Sequence, residues 1–226
     1  MTSRTIHKMR TFIGVLTTTL LLSACSHNGI YRGNYSDECT FKKEGDCAGN
    51  ALQIGGTGTD YEYRLGFIEY DDQGQLWARE QQDSVLDRYL RLAGMQDVIV
   101  LTFIHGWHHS AEPGDTNVAE FRDMLASVSA QEAASSAQHN RDRRPVLGVY
   151  IGWRGDSLAI PFVNHTTFWD RKATAHEVGR KGVTEALLRL EELVNVRNTF
   201  KDGEPPSTSR LVVIGHSFGG AVVYSS

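Results

Sequence analysis

The chain has 226 residues, of which 40% are hydrophobic and 22% are charged, and its formal net charge is −4. This length is enough for one domain with a sizeable buried core. Nucleic-acid-binding domains normally carry a basic excess, so the acidic balance argues against a nucleic acid as partner.

The first 24 residues are predicted to be a signal peptide and not part of the fold. Arg4, Lys8 and Arg10 give the chain a basic start without any acid, and an apolar run follows over residues 11–22. Spanning a bilayer takes about 20 apolar residues, so a run of this length favours a cleaved signal over a short membrane anchor or a buried helix.

The stretch LSAC, residues 22–25, ends the apolar run in a cysteine. It resembles the lipobox of bacterial lipoproteins, which implies that Cys25 is lipidated and becomes the mature N-terminus. Two acyl chains are enough for stable anchoring to a membrane. Ser26, in place of an aspartate, favours transfer to the outer membrane in such families. We therefore expect an exported protein, lipid-anchored to the cell envelope at the outer membrane and facing the periplasm.

Residues 25–60 are rich in Gly, Asn, Ser and Asp, which predicts a flexible tether with little structure of its own. Two cysteines, Cys39 and Cys47, lie in this stretch eight positions apart. In an oxidising compartment they can form a disulfide, and the alternative is a pair of free thiols in the tether.

Regular patterns begin at residue 61, where the domain is expected to start and run to residue 226. The segments around the turn DDQG predict a β-hairpin. The elements predicted after it are a helix over 84–93, a buried strand over 98–104, a helix capped by Asp115, a buried strand over 145–153, a helix over 167–195 and a buried strand over 210–215. Alternating strands and helices predict an α/β fold with a mostly parallel sheet and helices on both faces.

The stretch GHSFG, residues 215–219, fits the pattern G-x-S-x-G of a nucleophile elbow. It follows an apolar strand and precedes the helix-like GAVVY, which is the context that such an elbow requires. Gly215 and Gly219 relieve crowding around a strained Ser217, whose hydroxyl is then presented at the carboxyl edge of the sheet. His216 is expected to pack or form hydrogen bonds beside it.

From about residue 97 to the end, the chain resembles the N-terminal half of an α/β-hydrolase, and it is similar to bacterial serine-hydrolase lipoproteins. FIHGW matches the oxyanion loop of that family, with His105 and Gly106 at its turn. The resemblance implies that Ser217 is the nucleophile and that the backbone N–H groups of Trp107 and Phe218 hold the oxyanion.

In that family the acid and the histidine of the triad follow the serine along the chain. No acid or histidine follows Ser217 here. The sequence therefore predicts a fold truncated after the elbow, a fragment that is inactive on its own. His108 and His109 are the nearest alternative bases, but no spacing in the sequence puts either within reach of the hydroxyl. HGWHH offers no further ligand in register, so neither a metal nor another cofactor is expected.

The function predicted from these patterns is that of a membrane-anchored serine hydrolase acting on carboxylic esters or related acyl compounds. Its expected partners are a small or lipid-like acyl substrate and, through Cys25, a membrane. The alternative is a non-catalytic lipoprotein with a binding or scaffolding role, or an inactive truncated product.

Overall fold

The computed structural model describes residues 29–153, 172–199 and 206–226. The predicted signal peptide and Cys25 lie outside the described residues. The strands are β1 Asn34–Phe41, β2 Asn50–Gly55, β3 Tyr63–Glu69, β4 Ile99–Ile104, β5 Val146–Gly152 and β6 Arg210–Gly215. The helices are α1 Arg79–Met95, α2 Thr116–Gln138, α3 Thr184–Thr199 and α4 Phe218–Ser225. None of the helices in these ranges is long and apolar enough to cross a membrane.

The strands form one mostly parallel sheet in the order β1-β2-β3-β5-β4-β6. β3, β5, β4 and β6 all run in the same direction, whereas β2 is antiparallel to β3 and parallel to β1. Ile104 pairs with both Ile151 and Gly215, so the carboxyl ends of β4, β5 and β6 are level. Loops that follow these strands therefore meet at one edge of the sheet.

The core consists of two apolar layers, one on each face of the sheet. On one face α1, α3 and α4 pack against side chains that include Val100, Ile104, Val149 and Ile151. On the other face α2 contributes Val118, Phe121 and Leu125, which pack against Leu65, Leu101, Phe103 and Tyr150. Because both faces are covered, β5 is buried along its whole length, as its unbroken apolar sequence predicts.

The tether predicted for residues 25–60 differs from the structure over the described part of that range. β1 and β2 lie within it and extend the sheet beyond β3. β1 is an edge strand with mostly exposed or half-buried residues, so it needs no apolar run. Cys39 and Cys47 form a disulfide with their Cα atoms 5.7 Å apart, which closes the loop between these strands.

The hairpin predicted around DDQG is reduced to a single antiparallel bridge between Tyr70 and Leu76. β3 instead pairs with β2 and β5, while α1 begins at Arg79 and takes up the last two residues of the segment 75–80 that was expected to form the second strand. The first turns of α1 include the buried polar residues Gln81 and Gln82. The apolar spacing that predicts a helix therefore begins only after the true start of α1.

Of the two remaining long helices, one begins as predicted and the other contains an irregular turn. α2 begins after Asp115, whose side chain accepts a hydrogen bond from the N–H of Asn117 at 2.8 Å, as the cap pattern predicts. Residues 172–178 are α-helical and continue through a π-helical turn at Gly179–Val183 into α3. The start expected for this helix, residue 167, lies outside the described residues.

Candidate active site

Ser217 occupies the sharp junction between β6 and α4. Its backbone has φ 54° and ψ −117°, a left-handed conformation that a non-glycine residue rarely adopts. The side chain is exposed at the carboxyl edge of the sheet. Strain of this kind costs about 1–3 kcal/mol and is concentrated at functional sites. The junction therefore has the backbone form of a nucleophile elbow.

The glycines around Ser217 are required by close approach of the backbone. A Cβ on Gly219 would lie 2.0 Å from the carbonyl oxygen of Ile104, and a Cβ on Gly215 would lie 2.5 Å from that of Gly219. A Cβ on Gly106 would lie 2.9 Å from the Cβ of Ser217. The turn after β4 is thus pressed directly against the elbow, and each of these positions excludes any larger residue.

His105 is a fully buried structural residue in this turn. Its Nε2 accepts a hydrogen bond from the N–H of Trp153 at 2.9 Å, so Nδ1 carries the hydrogen that reaches the Gly106 carbonyl oxygen, also at 2.9 Å. The Trp153 indole stacks on the imidazole and donates back to the His105 carbonyl oxygen. Burial lowers the pKa of His105 to about 4, more than its hydrogen bond to Gly106 raises it. The ring is therefore neutral near pH 7 and has no free nitrogen for catalysis.

The residues expected to form the oxyanion hole lie beside Ser217. Phe218 is the first residue of α4, and its ring centroid is 6.0 Å from that of Trp107. The N–H of Gly219 donates to the His216 carbonyl oxygen at 2.8 Å, and the N–H of His216 donates to that of Ile104 at 3.0 Å. The first bond closes the elbow on itself, and the second holds it on the end of β4. The positive end of the α4 dipole points toward Ser217, where an oxyanion would form.

A histidine–carboxylate pair lies in the loop that follows the oxyanion turn. The Nδ1 of His109 is 3.1 Å from Oδ1 of Asp115, and the His109 ring centroid is 6.1 Å from that of His216. His108, between His109 and the turn, has a left-handed backbone with φ 66°. The loop thus turns back and brings His109 close to His216, the residue before Ser217.

No protein-family model matches the chain, and neither a curated protein nor a solved structure matches it. Its function is therefore inferred from the geometry of the site. Within the described ranges, no group of three or more His, Cys, Asp and Glu side chains is arranged to hold a metal ion.

Of the residues selected from the sequence, the structure brings the elbow and the oxyanion turn together at one edge of the sheet. Cys39 and Cys47 lie away from this cluster, in the loop between β1 and β2. The sequence predicts Asp115 only as a helix cap and does not indicate its contact with His109. The six-residue separation between these two side chains has no regular period, so only the fold of the loop reveals the pair.

Proposed function

We propose that this protein is a serine hydrolase of the α/β-hydrolase type that cleaves carboxylic esters or related acyl compounds through Ser217. The observation that carries the proposal is the strained backbone of Ser217 at a strand-to-helix junction, held by glycines that permit no side chain. A polar residue kept in such a conformation at an exposed edge is typical of a nucleophile.

The reaction follows from the position of the hydroxyl. Oγ of Ser217 attacks the acyl carbon, a C–O bond forms, and the carbonyl oxygen takes up the negative charge. The N–H groups of Trp107 and Phe218 would stabilise this oxyanion, and one such donor contributes about 10²–10³ in rate. The bond to the leaving alkoxide then breaks, and water hydrolyses the acyl-enzyme in a second step.

A fluorophosphonate probe, which modifies activated serine hydroxyls, tests the proposal. The wild-type protein is expected to be labelled at Ser217, as read by mass spectrometry of the modified peptide, and Ser217→Ala is expected to abolish the label. Ser226→Ala serves as the matched control because this exposed serine ends the same helix. Labelling that is absent from wild type, or that persists in Ser217→Ala, would contradict the assignment.

The second part of the proposal is that Cys25 carries the lipid anchor of an envelope protein, as its lipobox-like context implies. Metabolic labelling with a palmitate analogue in a bacterial host tests this. We expect wild type and Cys47→Ser to be labelled and Cys25→Ser to lose the label and leave the membrane fraction. Equal labelling of Cys25→Ser would refute the anchor without affecting the assignment of Ser217.

A further inference from the structure

Trp153, the residue that follows β5, holds His105 through three contacts. Its backbone N–H donates to Nε2 of His105 at 2.9 Å, and its indole N–H donates to the His105 carbonyl oxygen, also at 2.9 Å. The two rings are stacked with their centroids 5.5 Å apart and their planes within 6° of each other. Both residues are buried, so neither ring can turn without the loss of a buried hydrogen bond.

These contacts fix two successive carbonyl groups of the oxyanion turn. The His105 carbonyl accepts from the indole of Trp153, and the Gly106 carbonyl accepts from Nδ1 of the His105 ring at 2.9 Å. In the strand order β5-β4-β6, Trp153 lies on one side of the turn and Ser217 on the other. Both carbonyls are therefore drawn toward the side of β5.

The direction of a carbonyl also fixes the direction of the next backbone N–H. No cis peptide bond occurs among the described residues, and in a planar trans peptide the N–H points opposite to the C=O. Because the Gly106 carbonyl points to the side of β5, the N–H of Trp107 points to the side of β6. Ser217 lies on that side, where a Cβ on Gly106 would be 2.9 Å from its Cβ.

We propose that Trp153 is a positioning residue for the oxyanion hole, an assignment that rests on the proposed hydrolase function. It acts through His105 and the two peptide groups of the turn, and it aims the N–H of Trp107 at the developing oxyanion. A donor is effective only within about 2.7–3.1 Å of the oxygen that becomes charged. Without the indole N–H, the His105 carbonyl loses its partner, and the turn can rotate the Trp107 N–H out of this range.

The test measures how the rate of fluorophosphonate labelling of the full chain depends on probe concentration, which gives the dissociation constant KI and the maximal rate kinact. An oxyanion donor acts on charge that develops in the transition state, so its loss lowers kinact and leaves KI unchanged. Trp153→Phe removes the indole N–H and keeps a ring and the backbone N–H. Tyr150→Phe is the matched control, because its ring also stacks on His105, at 5.7 Å, and its hydroxyl donates to the Ser110 carbonyl oxygen at 3.1 Å. It loses a buried hydrogen bond beside the same imidazole but none within the turn.

A second variant removes the N–H group without changing the shape of the side chain. Phenylalanine is smaller than tryptophan, so Trp153→Phe also leaves a cavity. Benzothienylalanine at position 153 has sulfur in place of the indole N–H and retains the size and stacking of the ring. The same replacement at the partly exposed Trp77 controls for the unnatural residue.

We expect both changes at Trp153 to lower kinact by about 10-fold or more, with KI within about twofold of wild type. Tyr150→Phe and the Trp77 control should label at the wild-type rate. If kinact is the same in wild type and in the benzothienylalanine variant, Trp153 does not position the donor although Ser217 remains the nucleophile. A benzothienylalanine variant that fails to fold, or that changes only KI, would also overturn the positioning role. Wild type that is not labelled at all would overturn the hydrolase proposal and this assignment together.

Discussion

β5 and β6 have similar sequences but very different surroundings. VLGVYIG and RLVVIG are both almost unbroken apolar runs, yet every residue of β5 is buried and those of β6 are half-buried or exposed. β5 lies between β3 and β4, whereas β6 has β4 on one side only. In the part of the chain that the structure describes, no strand pairs with the outer edge of β6.

The comparison separates two sources of stability. The centre of the sheet is stabilised by burial of apolar side chains between helices on both faces, which dominates folding free energy. The edge that carries Ser217 instead depends on backbone contacts with the end of β4. Glycines there let the two backbones approach more closely than a Cβ atom would permit. Substitutions in the two regions should therefore act through different mechanisms and with different magnitudes.

The largest effect is expected where the elbow meets β4. Gly219→Ala places a Cβ 2.0 Å from the Ile104 carbonyl oxygen, so the backbone must move. We expect the free energy of unfolding to fall by more than about 3 kcal/mol and labelling of Ser217 to be lost. Gly220→Ala is the matched control, since its nearest neighbour is 3.6 Å away. It should be neutral or stabilise α4 by up to about 1 kcal/mol. Equal urea midpoints for the two variants would contradict the crowding argument.

The next largest effect is a pH dependence of stability that comes from the buried residue His105 after β4. The pKa of His105 is about 4 in the folded protein because of burial, and about 6.5 in an unfolded chain. Between these values only the unfolded chain binds the proton, so stability decreases as the pH falls. This group should lower the free energy of unfolding by about 3 kcal/mol between pH 6.5 and pH 4. Urea titrations measure the slope, and His105→Gln should flatten it. A slope that this substitution leaves unchanged would assign the pH dependence to other groups.

A valine-to-alanine pair tests the comparison between the strands directly. Val149 of β5 is fully buried, whereas Val212 of β6 is 45% exposed. Val149→Ala should cost about 2 kcal/mol of unfolding free energy, because it leaves a cavity that the packed layers cannot fill. Val212→Ala should cost less than about 0.5 kcal/mol. Similar losses in chemical denaturation would mean that the outer edge of β6 is covered in solution.

A substitution at the outer edge of β6 is expected to have the smallest effect on stability and the clearest effect on self-association of the protein. Val212→Lys adds a charge to an apolar edge strand, a substitution that opposes edge-to-edge pairing. We expect the free energy of unfolding to change by less than about 0.5 kcal/mol while light scattering shows less self-association. Leu90→Lys, at a similarly exposed position on α1, is the control and should leave association unchanged. If the two variants self-associate to the same extent, the outer edge of β6 is not the surface through which the chain associates.

Much of the parallel half of the sheet could be predicted from the sequence. Strands buried on both faces appear as continuous apolar runs, and G-x-S-x-G after such a run locates the elbow. The sequence does not show which of these strands lies at an edge, because β5 and β6 have the same apolar pattern. That property depends on strand order, which is decided by pairing between distant segments.

The failures have local physical causes. β1 and β2 fall in the segment predicted to be a tether, because their polar residues lack an apolar period. They are stabilised by partners that the sequence does not indicate. The guanidinium of buried Arg32 bonds to the Ala48 and Ala111 carbonyl oxygens, and Gln53 bonds to the Cys47 carbonyl oxygen. The His109–Asp115 contact was missed for a related reason. Asp115 already had an adequate role as a helix cap, and a second partner becomes evident only when the loop has folded.

The hydrogen bond from Arg32 to the Ala111 carbonyl oxygen holds the segment before β1 at the edge of the sheet that carries Ser217, because β1 and β2 run opposite to β3. Seven positions separate Arg32 from Cys25, so the segment between them spans at most about 25 Å when fully extended. If acyl chains are attached to Cys25, the sheet edge that carries Ser217 is held within roughly one domain diameter of the bilayer. If Ser217 is also the nucleophile that we propose, acyl compounds already dissolved in the lipid leaflet would reach it far more often than those diffusing through the surrounding water.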